Sequence, residues 1–423
     1  MKNKKRFQKT ILPLGIILVL VLSTNTIALQ TSNEIKSNYD DIIYVNDDNT
    51  AGPWDGSKGH PFQHITDAIN SAENDDTIYI YNGEYLVTKE NKIDIDKSLN
   101  LEGENNKKTV VKLDKGSDRV INISSDNIDI RNLKIMGAIY GIKGKGDYLT
   151  VANCIITDNL DAICVSKSSN VIISNNEILH NFFDGIDLIK CSDCDIKNNN
   201  IKSNTRGILI DASERVTIDE NNIEKNLEDA ITVISSNNIV ISNNRLFKNT
   251  LGFSSSAVYL AGSSENTIYK NDILENEHDG IVLTGSSKNN VIHKNTIKDN
   301  CYVLSESNLY GIYIADGSND NLIYENDLVD NKNIGINNNA IDFCINSWYN
   351  DELGIGNYYS DYKGIDTDND GIGDTPYRIK GGANKDLFPS MEKNRNKAKS
   401  KASTLQFLRI INIFKEEFYF LIN

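Results

Sequence analysis

Residues 171–233 read VIISNNEILHNFFDGIDLIKCSDCDIKNNNIKSNTRGILIDASERVTIDENNIEKNLEDAITV, and one pattern recurs through them. Ile173, Ile196 and Ile218 each stand five residues before Ile178, Ile201 and Ile223, with asparagine two residues before the latter at 176, 199 and 221. Seven or eight residues further on come Ile186, Ile208 and Ile231, and two beyond these Leu188, Ile210 and Val233. Apolar residues two apart mark short strands, and the Asn, Ser, Asp and Gly between them mark turns.

The pattern extends outward in both directions. Its anchors are Ile135, Ile155, Ile178, Ile201, Ile223, Leu246, Ile273, Ile297 and Leu328, at intervals of 20 to 31 residues. The preceding asparagines stand at 153, 176, 199, 221, 244, 271, 295 and 326, and a serine column runs through 125, 168, 213, 236, 263, 287 and 318. No helical period accompanies the repeat, which sets it apart from leucine-rich repeats. A unit of about 23 residues carrying three short strands is one coil of a parallel β-helix. Each strand then pairs with its copy one coil up, about 4.8 Å away. The expected fold is therefore all-β, a right-handed single-stranded parallel β-helix with isoleucine ladders inside and asparagine ladders at its corners.

The repeats span 116–345, and the longer intervals predict loops at 249–256 and 301–309. Before them, residues 41–115 hold the first coils and a cap. Ile65, Ala68, Ile69 and Ala72 have helical spacing within 63–73, and strands are expected at 77–81, 93–95, 99–101 and 110–113. A cap is needed because the end of a β-helix is an open sheet edge. Cys191 and Cys194 resemble a redox or zinc pair, yet the repeat assigns Cys194 to the inward position of Val171 and Val216, and Cys191 to the turn serine.

The flanks carry signals of their own. Lys2, Lys4, Lys5, Arg6 and Lys9 precede an apolar run at 11–22, so residues 1–30 are expected to be an export signal. The expected location is secreted, extracellular or cell-surface, and periplasmic if the host has an outer membrane. At the other end, 391–423 combines a basic linker with an amphipathic pattern over 404–423, suited to packing on the last coil or to peripheral membrane contact. The formal net charge is -15, which argues against a nucleic-acid partner.

Several segments together resemble a known family. Tyr44-Val45-Asn46-Asp47-Asp48-Asn49, Gly52-Pro53-Trp54-Asp55-Gly56, Gly356-Asn357-Tyr358-Tyr359-Ser360-Asp361-Tyr362 and Asp386-x-x-Pro389 look like NosD-like parallel β-helix proteins, of pectin-lyase-like fold. The resemblance implies either a periplasmic accessory role in copper insertion or a surface protein grouped with carbohydrate-binding proteins and sugar hydrolases. Copper is not expected from the residues themselves, because the chain has three methionines and five scattered histidines.

Two constellations are candidates for chemistry. Asp366-x-Asp368-x-Asp370-Gly371-Ile372-Gly373-Asp374 alternates carboxylates before a glycine turn and predicts a structural calcium loop. Its expected ligands are Asp366, Asp368, Asp370, Asp374 and the Ile372 carbonyl, with Tyr377 where an EF-hand has glutamate. The turn before the third strand carries Asp161, Asp184, Asp229 and Asp279 with Arg206 among them. Beside it Lys143, Cys164, Asp187, Leu209, Thr232, Tyr259, Val282 and Tyr313 are expected to point outward. With no familiar catalytic set, the leading expectation is a non-catalytic scaffold that binds a glycan or cell-envelope component and stacks sugars on Tyr259 and Tyr313. The alternative is a polysaccharide lyase, epimerase or hydrolase that uses Asp184 and Asp187 as acid and base and Arg206 as substrate clamp. The copper-accessory role is a further alternative.

Overall fold

The computed structural model describes residues 42–250, 255–302, 309–333 and 335–393. The expected export signal at 1–30, the expected tail helix at 404–423, residues 251–254 of the first predicted loop and 303–308 of the second lie outside the described residues. Ile42 opens the unit that contains all of the described fold.

The chain winds as a right-handed parallel β-solenoid. Three sheets run along it. Sheet 1 has twelve strands from Ile42–Val45 to Leu322–Tyr324, and sheet 2 has twelve from Gly83–Val87 to Tyr358–Tyr359. Sheet 3 has eleven, from Ile93–Ile95 to Ala340–Asp342. Each coil passes through the three in turn, and every pairing within them is parallel and in register. The expected strands at 93–95, 99–101 and 110–113 appear as Ile93–Ile95, Leu99–Gly103 and Thr109–Leu113.

The ladders form with one correction. Ile135 pairs with Ile156, and Ile156 with Ile178, so Ile156 rather than Ile155 is the inward residue of that coil. Correspondingly Cys154, not Asn153, takes the rung before it: its backbone N–H donates to Asn176 Oδ1 at 2.9 Å. From there the column Ile178, Ile201, Ile223, Leu246, Ile273, Ile297 and Leu328 is fully buried. Burying each such side chain contributes about 1.5–3 kcal/mol, but only where a neighbouring coil covers it.

The corners explain the abundance of asparagine. At each, one residue takes a left-handed backbone, such as Asn175, Asn198, Glu220 and Asn243, and a buried asparagine follows. Its side chain repeats one geometry. Asn199 donates its backbone N–H and its Nδ2 to Asn221 Oδ1, at 2.9 and 3.0 Å, and Nδ2 also reaches the Ile173 carbonyl at 2.9 Å. A second ladder runs from Asn159 through Asn331, and a serine ladder runs from Ser168 to Ser318 with Cys191 as one rung. Cys194 points inward opposite Val216, and all six cysteines are free.

All the amide rungs donate in the same direction, so each ladder needs a pure acceptor at its far end. Three buried or half-buried carboxylates supply it. Asn357 donates its backbone N–H to Asp386 at 2.6 Å, and Asn339 Nδ2 donates to Asp361 at 2.7 Å. A third asparagine ladder runs through Asn266, Asn290, Asn321 and Asn346, and Asn346 Nδ2 donates to both oxygens of Asp342 at 3.1 Å. Charged acceptors strengthen such bonds. Above them Trp348 and Tyr359 close the core, and Tyr377 stacks on Tyr359 at 3.7 Å. At the other end the helix Ile65–Ser71, shorter than the expected 63–73, buries Ile65, Ala68 and Ile69. Lys97 Nζ caps its last carbonyls, Ile69 and Ala72, at 3.1 and 2.9 Å.

Candidate functional site

Sheet 3 places the outward column as expected, because side chains alternate along each strand. Lys143, Cys164, Asp187, Leu209, Thr232, Tyr259, Val282 and Tyr313 are successive register partners. Outward here does not mean exposed. Asp187 is 9% exposed and Thr232 2%.

The corner aspartates do a different job from the one their column suggests. Asp161 Oδ1 accepts the backbone N–H of Asp184 at 3.1 Å. Asp229 Oδ1 accepts that of Ser256 at 2.6 Å, while its Oδ2 takes the Thr232 hydroxyl at 2.8 Å. Asp279 accepts the backbone N–H of Tyr310. Each of these three carboxylates pins the start of the next coil's strand. Tyr259 is also engaged, through a hydrogen bond between its hydroxyl and Thr284 at 3.1 Å. Tyr313 packs between Tyr310 and Phe343, with centroids 6.3 and 6.0 Å away.

Asp184, Asp187 and Arg206 are brought together. Arg206 Nε donates to Asp184 Oδ1 at 3.0 Å. Three residues along the same strand, Asp187 Oδ2 accepts the Cys164 thiol at 3.6 Å, while Asp187 Oδ1 is buried and finds no hydrogen-bond partner among the described residues. Burial pushes the Asp187 carboxyl up to about 7, and the neighbouring carboxylates of Asp184 and Asp161 add to the rise. Burial also raises Asp184, where Arg206 opposes the shift. The Cys164 thiol is pushed up to about 12 by burial and by Asp187, so it is a donor at neutral pH. One carboxyl thus keeps its proton far above the usual carboxylate range, beside another whose charge is supported by a guanidinium. Such a split separates an acid from a base.

Two further features escaped the sequence. Lys143 Nζ lies 3.4 Å from the centroid of the Tyr140 ring. Phe182 and Phe183 form an exposed, edge-to-face pair with centroids 5.1 Å apart, at the corner directly before Asp184. Two adjacent aromatic residues, where the corner two coils on has Leu227 and Glu228, were the available signal.

The Asp-rich loop gathers three of its carboxylates. Asp366, Asp368 and Asp370 each offer a carboxylate oxygen within 4.8 Å of the others. Asp366 also accepts the backbone N–H groups of Asp370 and Gly371, and Asp370 that of Ile372. Asp374 turns away from this group and accepts the backbone N–H and hydroxyl of Thr367. Ile372 lies in a backbone bridge opposite Ser390.

Comparison with known proteins agrees with this architecture. A family model for the right handed beta helix region matches residues 98–246 and 194–346. No curated protein matches the sequence. Among solved structures, the A-module of Azotobacter vinelandii mannuronan C-5 epimerase AlgE6 superposes with a TM-score of 0.52 at 18% identity, over 67% of this chain and 93% of that one. The AlgE4 A-module from the same organism gives 0.51 at 18% identity, over 68% and 92%. A complex of XylC with xylose gives 0.50 at 12% identity, over 68% and 75%. At these identities the likeness is one of fold. The chain belongs to the right-handed β-helix family.

Proposed function

We propose that the protein binds a polysaccharide along the outer face of sheet 3 and carries out acid–base chemistry on it at Asp187. The observation that carries this is the buried, unpartnered Oδ1 of Asp187, on a carboxyl raised to about 7 beside the Arg206-paired Asp184. Leaving a polar atom buried without a partner costs about 1–3 kcal/mol, and such costs cluster where chemistry is done. A glycan suits a long, open face of repeating coils, and two of the fold neighbours are mannuronan epimerases.

The test is incubation with a panel of polysaccharides, followed by product analysis. Turnover is expected, with kcat changing through a limb near pH 7, and Asp187→Asn is expected to abolish it while glycan binding persists. Binding without turnover of any polysaccharide would return the face to a non-catalytic scaffold, for which the backbone duties of Asp161, Asp229 and Asp279 speak. Absence of both would remove the proposal. The proposal includes export through residues 1–30, a structural calcium ion held by Asp366, Asp368 and Asp370, and peripheral attachment to a membrane by the 404–423 tail.

A further inference from the structure

Charge around Asp187 is strongly unbalanced. Asp161, Asp184 and Asp187 interact with one another, and Glu228 and Asp229 stand at the next corner but one. Against these, the cations that interact with the group among the described residues are Arg206 and Lys143, and both have partners. Arg206 is hydrogen-bonded to Asp184, and Lys143 lies over the Tyr140 ring. Elimination and C-5 epimerisation of a uronate both remove a proton next to a carboxylate, and a cation free to pair with that carboxylate favours the enolate. A uronate here would instead meet carboxylates. Two like charges 4 Å apart repel by about 4 kcal/mol near a protein surface.

The adjoining corner offers the opposite kind of contact. Phe182 is 69% exposed, Phe183 45%, and Leu227, two coils on, 50%. The backbone that carries the aromatic pair is held in place. Phe182 and Phe183 donate their backbone N–H groups to the Asn159 and Leu160 carbonyls at 2.8 and 2.7 Å, and the Phe182 carbonyl accepts the Thr205 hydroxyl. Exposed rings at the corner that leads into Asp184 match the apolar C–H face of an uncharged sugar.

Building on the polysaccharide assignment above, we infer that the substrate is a neutral glycan, stacked on Phe182 and Phe183 and cleaved by hydrolysis. Asp187, protonated, gives its proton to the glycosidic oxygen as the bond from that oxygen to the anomeric carbon breaks. Water forms the new bond to the anomeric carbon and loses a proton to the Asp184 carboxylate. The products are two shorter glycans, one with a new reducing end. Proton exchange with solvent then restores both carboxyls.

The experiment compares neutral polymers (xylan, β-glucan, mannan) with polymannuronate and polygalacturonate, using the full chain. New reducing ends from a neutral polymer, without an unsaturated product, are expected. The Phe182→Ala/Phe183→Ala double variant should raise KM roughly tenfold, equivalent to about 1.4 kcal/mol, with kcat and the thermal melt unchanged. Turnover confined to the polyuronides would overturn the inference while sparing acid–base chemistry at Asp187. An unchanged KM in the double variant would overturn the stacking role. Loss of all glycan binding by the unmodified protein would instead remove the polysaccharide assignment itself.

Discussion

Replacing Asp187 by asparagine should stabilise the protein in alkaline solution and leave its stability unchanged in acid. The amide fills the same space without the charge. In the folded chain, burial first and the Asp184 and Asp161 carboxylates second raise the Asp187 carboxyl from 3.8 to about 7. Unfolding returns it to its ordinary value. The folded state therefore holds this proton more tightly, and stability from the protonated form is complete below pH 3.8 and lost as pH rises through about 7. A displacement of that size corresponds to about 4 kcal/mol of penalty on the ionised form. Local relaxation around the charge brings the expected gain to about 2–4 kcal/mol. Urea unfolding of both proteins at about pH 4 and about pH 8.5 measures it, since the other titrating groups are shared and cancel. The variant's midpoint should exceed the parent's only at the higher pH. An equal difference at both values, or a variant weakened in alkali, would show that Asp187 works as a charged structural carboxylate and would refute its assignment as a strained acid.

Two other perturbations test the frame around it. Asn221→Ala strands the Asn199 backbone N–H and removes the bond to the Ile196 carbonyl, and should cost about 3 kcal/mol by denaturant titration. Asn222→Ala, which loses only partners on the outer face, should stay within about 0.5 kcal/mol. Calcium should raise the thermal midpoint by mass action, Asp368→Asn should blunt the rise, and a melt indifferent to calcium and chelator would exclude the ion from the Asp366–Asp370 loop.

The coil period and the three sheets were legible because like residues stack on like residues inside, and the outward column because it alternates with them along each strand. The register failed at one place, where Asn153 and Ile155 imitate a rung and its anchor. The true rung is Cys154, whose thiol reaches the Ile130 and Ala152 carbonyls at 3.7 and 3.4 Å. A corner needs a small buried donor, and sequence preference for asparagine conceals that a thiol qualifies. The motif at 356–362 was recognised by resemblance alone, while the structure gives its reason: Asn357 is the last rung, Tyr359 plugs the core and Asp361 ends the second ladder. The candidate site was legible as a set of positions and not as a set of roles. Asp161, Asp229 and Asp279 look like Asp184 in sequence, and only the backbone of the following coil distinguishes them. Likewise Asp374 keeps the spacing of a ligand, but its carboxylate is claimed by Thr367.

The frame and the chemistry meet in the strand Asp184–Ile189. It pairs with Asp161–Ser166 on one side and Arg206–Asp211 on the other, so it has no free edge along which to shift. Its corner is tied down at Asn181, whose backbone N–H and Nδ2 both reach Asn204 Oδ1 at 2.9 Å. A shift of the backbone to give Asp187 Oδ1 a partner would break two sets of sheet bonds and a ladder rung. Each buried bond lost costs about as much as the orphaned oxygen itself. The unfavourable carboxyl therefore persists because relieving it costs more. A rigid frame of that kind holds an acid at a fixed place and keeps its proton affinity high without reorganisation during a reaction. It follows that a substitution that relieves the burial penalty, such as Asp187→Asn, removes the chemistry in the same step, whereas one that weakens the ladder leaves Asp187 free to find a partner.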